Sequence, residues 1–196
     1  MGALSIAAGN SPVKGINPYR IDNARFKSLV DYMSALRPQV AGFYPQASIF
    51  SAFSNGTIWI QPGGGDWAVQ ILKDQGVPVA SAIPSEGAYL WGSGISIVKS
   101  TKRQEAAEKF VEYLMSPHAQ ARIATKASYS ALVPNMKAWE VVQKEKPDWA
   151  KRLGMDSLTG DNAMLPMKQG KIAPRLLPVD QTPDQWAQAW QAFKAS

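Results

Sequence analysis

The sequence predicts an α/β fold in which a mixed, mostly parallel sheet is flanked by helices. Three observations predict it. The β-rich run 57–60 (Thr-Ile-Trp-Ile) is broken by Pro62-Gly63-Gly64-Gly65, followed by a helix from Asp66 to Gln75 and a second β-rich run, 77–83. That order within a short stretch reads as a βαβ unit, whose crossover is right-handed and whose strands are parallel. A third β run, 95–98, precedes an amphipathic helix over 101–115. Helical periodicity is also clear near the start, where Phe26, Leu29, Val30, Met33 and Leu36 share one face.

Taken in order, Ala3 to Gly9 reads as the last two turns of a helix closed by Gly9-Asn10. A chain rarely opens in the last turns of a helix, so the expectation is a piece of a longer protein. Asp22 is the N-cap of the helix to Leu36, and Arg37-Pro38 ends it, because the residue before Pro avoids the helical region. Residues 40–43 suit a short strand. Pro45 opens a helix over 46–54, closed by Asn55-Gly56, and Asp66 is expected to cap the helix that Gly76 closes. On the helix over 101–115, Ala106, Phe110, Val111 and Leu114 form the apolar face and Glu105, Glu108, Lys109 and Glu112 the solvated one. Pro117 opens the next helix. The tail from Pro134 is helix-rich and punctuated by prolines. Thr182-Pro183-Asp184-Gln185 combines a cap, Pro at the first helical position and Gln at the third. Trp186, Ala189, Trp190 and Phe193 then form one face, so this end is expected to dock.

Composition narrows the function. In 196 residues there are no Cys and one His, His118, which removes thiol chemistry, Cys-ligated metal and any His pair. The net charge is +6, yet residues 1–91 hold six cations against five anions, and the excess in the second half is interleaved with acids. No run exceeds two cations, which is not the clustered basic face of a nucleic-acid binder. No apolar stretch approaches the ~20 residues of a membrane span. No nucleophile–base pair, paired carboxylates or metal spacing emerges, so neither catalysis nor a cofactor is expected.

Three clusters join aromatic faces to polar groups. Trp59-Ile60-Gln61 with Gly63-Gly64-Gly65-Asp66-Trp67 is either a tight turn with an N-cap Asp or a ligand-contact loop in which Asp66 meets a cation. Its glycine turn resembles an anion cradle, but it lacks a Gly-Lys-Ser/Thr and Asp66 repels anions. In the segment from Pro84 to Gly94, Tyr89 and Trp91 share one side of an extended strand. Trp91 is read as an exposed stacking wall, with core packing as the alternative, and Glu86 as a structural hydrogen-bonding carboxylate. Ser93 follows, and the third cluster is Ser128-Tyr129-Ser130. His118 is assigned no chemistry.

Ile83-Pro84-Ser85-Glu86-Gly87 through Trp91, then Ile95-Ser96-Ile97-Val98, the helix over 102–115 and Tyr113-Leu114-Met115-Ser116-Pro117, resembles bacterial extracellular solute-binding proteins. Within them it is most similar to the spermidine/putrescine-binding branch that feeds ATP-driven importers. Leu36 to Val40, Trp59 and the stretch from Tyr129 to Asn135 fit the same template in the same order. The resemblance implies a type II periplasmic-binding fold, a two-lobe clamp closing on a ligand about a hinge, of which this chain is an incomplete part. Residues 1–91 then correspond to the C-terminal lobe, 92–133 to the hinge crossing and a segment of the N-terminal lobe, and 134–196 to the return with a helical tail. It also implies a periplasmic or extracellular location, a small-molecule ligand and the permease subunits of an ABC importer as partners.

By the same resemblance, Trp59, Trp91 and Tyr129 wall the cleft. In the polyamine binders the second residue after the hinge tryptophan is an Asp that pairs with an ammonium; this chain has Ser93, and Asp66 is the carboxylate that takes its place. Trp59, Tyr89 and Trp91 suit stacking on a planar or quaternary-ammonium group, at about 0.5–2 kcal/mol each. The ligand expected is therefore a small organic cation or polyamine-like solute, with Gln61 as a polar contact; an amino-acid derivative or sugar-like compound is the other ligand reading. A non-binding module is the alternative of a different class, in which the apolar helix face of 94–133 joins copies of the chain.

Overall fold

The computed structural model describes residues 1–63, 65–126 and 130–195, with the side chain of Asp66 outside the description. Packing divides the chain into two units, Met1–Trp91 with Pro166–Ser196, and Gly92–Leu165.

In the first unit, α1 (Gly2–Ala7) gives way to Gly9 at φ +97, the left-handed geometry that its closing glycine predicts. The Asp22 carboxylate accepts a hydrogen bond from the Arg25 N–H at 2.8 Å and starts α2 (Asn23–Leu36). Beyond Leu36 the chain tightens into a 3₁₀ turn at Arg37–Gln39, and Arg37 keeps helical dihedrals (φ −50, ψ −41), so the α-helix ends at Pro38 without the residue before it leaving the helical region. The apolar stripe of α2 buries Leu29 and Met33 against Leu4, Ile21, Trp186 and Phe193. Helix α3 (Gln46–Ser54) ends before Gly56, and α4 (Asp66–Asp74) begins one residue earlier than an Asp66 cap predicts, with Gly65 rather than Asp66 as its N-cap.

The far end of the chain completes this core. The short helix α9 (Leu165–Lys168) leads towards a strand and then α10 (Pro183–Ala195). The capping box is reciprocal: the Thr182 N–H donates to Gln185 Oε1 at 2.7 Å, and the Gln185 N–H donates to Thr182 Oγ1 at 3.3 Å. Trp186 and Phe193 are buried as the helical face predicts, with Phe43 edge-on to Trp190 and Phe193 at 5.5 and 5.3 Å. The Gln181 amide donates to Ile21 O and Asn23 Oδ1, both at 3.0 Å, tying this tail to the start of α2.

The sheet is smaller than the sequence predicts. Strand β1 (Ala88–Leu90) pairs in parallel with β2 (Ile172–Pro174), Ala88 opposite Ile172 and Leu90 opposite Pro174. The expected strands 40–43, 57–60, 77–83 and 95–98 form no ladder among the described residues, so the βαβ crossover is not built. Strand preference expresses fit to a pleated, half-buried surface, and an extended run needs a neighbour for its N–H and C=O groups. Here Trp59 and Ile60 are 89% and 84% exposed, and the Val79 N–H bonds to Val77 O in a tight turn.

The second unit is helical. It contains α5 (Gln104–Met115), α6 (Pro117–Ala124), α7 (Met136–Glu145) and α8 (Pro147–Arg152). Ser116 Oγ accepts from the Ala119 N–H at 3.3 Å and Asn135 Oδ1 from the Lys137 N–H at 3.1 Å, capping α6 and α7. Trp139, Val142, Ala121, Ala124, Val133 and Met155 form its core. Residues 134–165 therefore pack with 92–133, and the chain rejoins the first unit at Pro166. Helix α5 starts at Gln104, and its apolar face is largely uncovered: Phe110 is 59% exposed and Tyr113 56%.

Candidate functional site

The loop after α3 is shaped by short-range bonds. Asn55 Oδ1 accepts from the Thr57 N–H at 3.0 Å and its hydroxyl at 2.6 Å, and the Ile58 N–H donates to Ala52 O. The Trp59 indole N–H donates to Gly56 O at 3.1 Å and leaves its ring in solvent. Gly63 then takes φ +76, and the Tyr89 hydroxyl donates to its carbonyl at 3.3 Å. A Cβ at Gly65 would stand 2.2 Å from Trp67 Nε1 and 3.3 Å from the Trp91 ring, so both indoles converge where this residue has no side chain.

These constraints frame a groove of about 300 Å3 in the first unit. Tyr44, Gln46, Ile49 and Phe50 line it from α3 and the chain before it; Gln61, Gly63 and Gly65 from the loop; Trp67 and Ala68 from α4; and Trp91 from the end of β1. Phe50 and Trp67 lie 5.8 Å apart between ring centroids at 56°. Tyr89 contacts Trp91 at 6.0 Å and Tyr19 edge-on at 5.8 Å, and Tyr19 stacks on Trp186 at 5.9 Å. A continuous run of rings thus connects the groove wall to the buried core. The Arg175 guanidinium lies 5.7 Å from the Tyr19 ring centroid, and the Arg175 backbone N–H donates to Leu90 O at 2.7 Å, holding β1 beside β2.

Of the residues singled out from sequence, Gln61 and Trp91 line the groove, and Tyr89 supports it from behind. Trp91, 39% exposed, is a wall and not a core residue. Trp59 does not line the groove. Ser93 is exposed and belongs to the second unit. Asp66 opens α4 between two lining residues, and Tyr129 lies outside the described residues. Sequence reasoning missed Tyr44, Phe50 and Trp67 as a set, because they come from separate elements with no shared spacing. Their one signal was three aromatics close to a glycine-rich loop. Glu86 accepts from the Ser85 hydroxyl at 2.9 Å; its own backbone N–H and then that hydroxyl hold its carboxyl below the usual range. In the second unit His118 stands exposed, 3.8 Å from Glu145. Among the described residues, no group of three or more His, Cys, Asp or Glu is placed to hold a metal ion, and no helix is long and apolar enough to cross a membrane.

Burial pushes the Tyr89 and Tyr19 phenols above the ordinary tyrosine value, with Arg175 opposing it in both. A phenol held neutral by the fold adds stability that is complete below about pH 10, where unfolded tyrosines ionise, and is lost as pH rises through the folded values. In alkaline difference absorbance, Tyr19 and Tyr89 are therefore expected to ionise late, and Tyr89→Phe to remove one late step. Six tyrosines titrating together near the ordinary value contradict this.

No solved structure matches the chain. Over 135 residues, 67% of this chain, it is 25% identical to the spermidine/putrescine-binding periplasmic protein 1 of Haemophilus influenzae. The match covers 35% of that relative, so the chain spans about a third of its length. The family described as bacterial extracellular solute-binding protein matches residues 2–153, well over half of the sequence, and the chain belongs to that family.

Proposed function

We propose that this chain is part of the substrate-binding component of an ABC importer, working in the periplasm or outside the cell, and that it captures a small organic cation or polyamine-like solute. The groove carries the reading: four aromatic side chains with Gln46 and Gln61 form a concave, mostly apolar wall of the kind that takes small ligands. The polyamine-binding name of the Haemophilus influenzae relative supports a cationic ligand. In this reading Gln61 and Trp91 contact the solute, Asp66 supplies a carboxylate near the loop, and permease subunits receive the loaded protein. The same proposal places the chain in a type II clamp, with the first unit from its C-terminal lobe.

The test is a fluorescence titration of the chain with putrescine, spermidine, choline and a neutral sugar. A saturable change in tryptophan emission with at least one cation, lost in Trp91→Leu, is the expected result. No saturable response to any cation overturns the proposal. The exposed Phe110 and Tyr113 on α5 favour a second reading, a module that joins copies of itself. A defined dimer by light scattering, with no response to any solute, is what that reading requires.

A further inference from the structure

We infer that the groove of the first unit takes a quaternary, N-methylated ammonium group in preference to the primary ammonium of a polyamine; this narrows the proposed function and rests on it. A primary ammonium brings three N–H donors and a tight hydration shell. Moving it against protein is costly unless a carboxylate and further acceptors replace that water. Among the described residues, the lining offers two neutral amides, Gln46 and Gln61, and no charged side chain.

A quaternary ammonium makes the opposite demand. It has no N–H to satisfy, spreads its charge over methyl groups and is attracted to aromatic faces within about 6 Å of the ring centroid. The groove supplies such faces. Phe50 and Trp67 form one inclined pair, and Trp91 approaches across Gly65. Tyr44 adds a fourth ring. The missing side chain at Gly65 lets both indoles pack close over its backbone; a methyl there would press on Trp67. A volume of about 300 Å3 suits one alkylated head group with a short tail. A neutral sugar fits less well, since its ring of hydroxyls needs more partners than two amides and a phenol provide.

Calorimetric titration of the 196-residue chain with choline, ethanolamine, putrescine and the uncharged isostere 3,3-dimethylbutan-1-ol tests the inference. Choline is expected to bind about tenfold or more tightly than each of the other three. Phe50→Leu and Trp91→Leu are each expected to weaken choline by about 3- to 30-fold, the range of one cation–π contact. Trp91→Phe should recover to within about threefold of the parent, which separates a lost ring from a lost fold, and unchanged circular dichroism checks the fold directly. Ethanolamine or putrescine binding more tightly than choline overturns the inference and leaves the broader proposal standing. An isostere equal to choline overturns the cationic ligand in both, as does silence from all four probes.

Discussion

Trp139→Ala is expected to destabilise the second unit by about 3–5 kcal/mol, the range for deleting a fully buried tryptophan. The indole is 1% exposed and sits among Ala121, Ala124, Ala138 and Ala150, small residues with no spare length to collapse into the space. Its N–H also donates to Val133 O at 2.9 Å, so the substitution leaves a carbonyl unpartnered in the core. With domain stabilities of about 5–15 kcal/mol, a loss of this size removes much of what holds the unit together. Urea unfolding followed by circular dichroism measures it; a change below about 1 kcal/mol contradicts this account of the core. Trp139→Phe separates the two causes, because it keeps most of the packing and loses the hydrogen bond.

Gly87→Ala is expected to damage the first unit and the groove together. Gly87 has φ +94, a backbone geometry that costs an L-residue about 1–2 kcal/mol. The added methyl would also stand 2.5 Å from Lys171 O and 2.7 Å from Pro12 Cγ. The first of these is backbone, and it is the acceptor of the Ala88 N–H at 2.8 Å, the bond that opens the pairing of β1 with β2. Moving Lys171 away strips that bond, and Tyr89 and Trp91 lie just downstream. A total loss of about 2–4 kcal/mol is expected from strain and the broken contact, with choline affinity falling beyond what stability alone explains. Gly92→Ala is the control, since no atom lies within 4 Å of a Cβ at that position. Equal melting temperatures for the two variants would contradict the argument.

The helices were legible because their causes are local. Asp22, Ser116, Asn135 and Thr182 each accept from a backbone N–H within three residues, and the stripes of α2 and α10 need only a period of 3.6 to be seen. The strands were not, since pairing is decided by what lies beside a segment. Residues 57–60 have strong β propensity and no ladder, whereas 88–90 form one because Ile172–Pro174 arrives alongside from far along the chain. For the site, Gln61, Tyr89 and Trp91 could be named from polar and aromatic groups at loop ends. Tyr44, Phe50 and Trp67 could not, since they meet only after α3 and α4 fold around the glycine loop.

By itself, then, the amino-acid sequence determined most of the helices with the Asp22 and Thr182 caps, the docking of the C-terminal face, the exclusion of thiol chemistry and the resemblance to solute-binding proteins. Each of these is written in neighbouring residues or in composition. Only the tertiary structure decided that the sheet of the described residues is one short parallel pair, that residues 134–165 join the second unit, that Trp59 stands in solvent and that four aromatic rings share one wall. The physical reason is common to all four: burial and pairing are properties of what packs against a residue, and that neighbour is chosen by the fold.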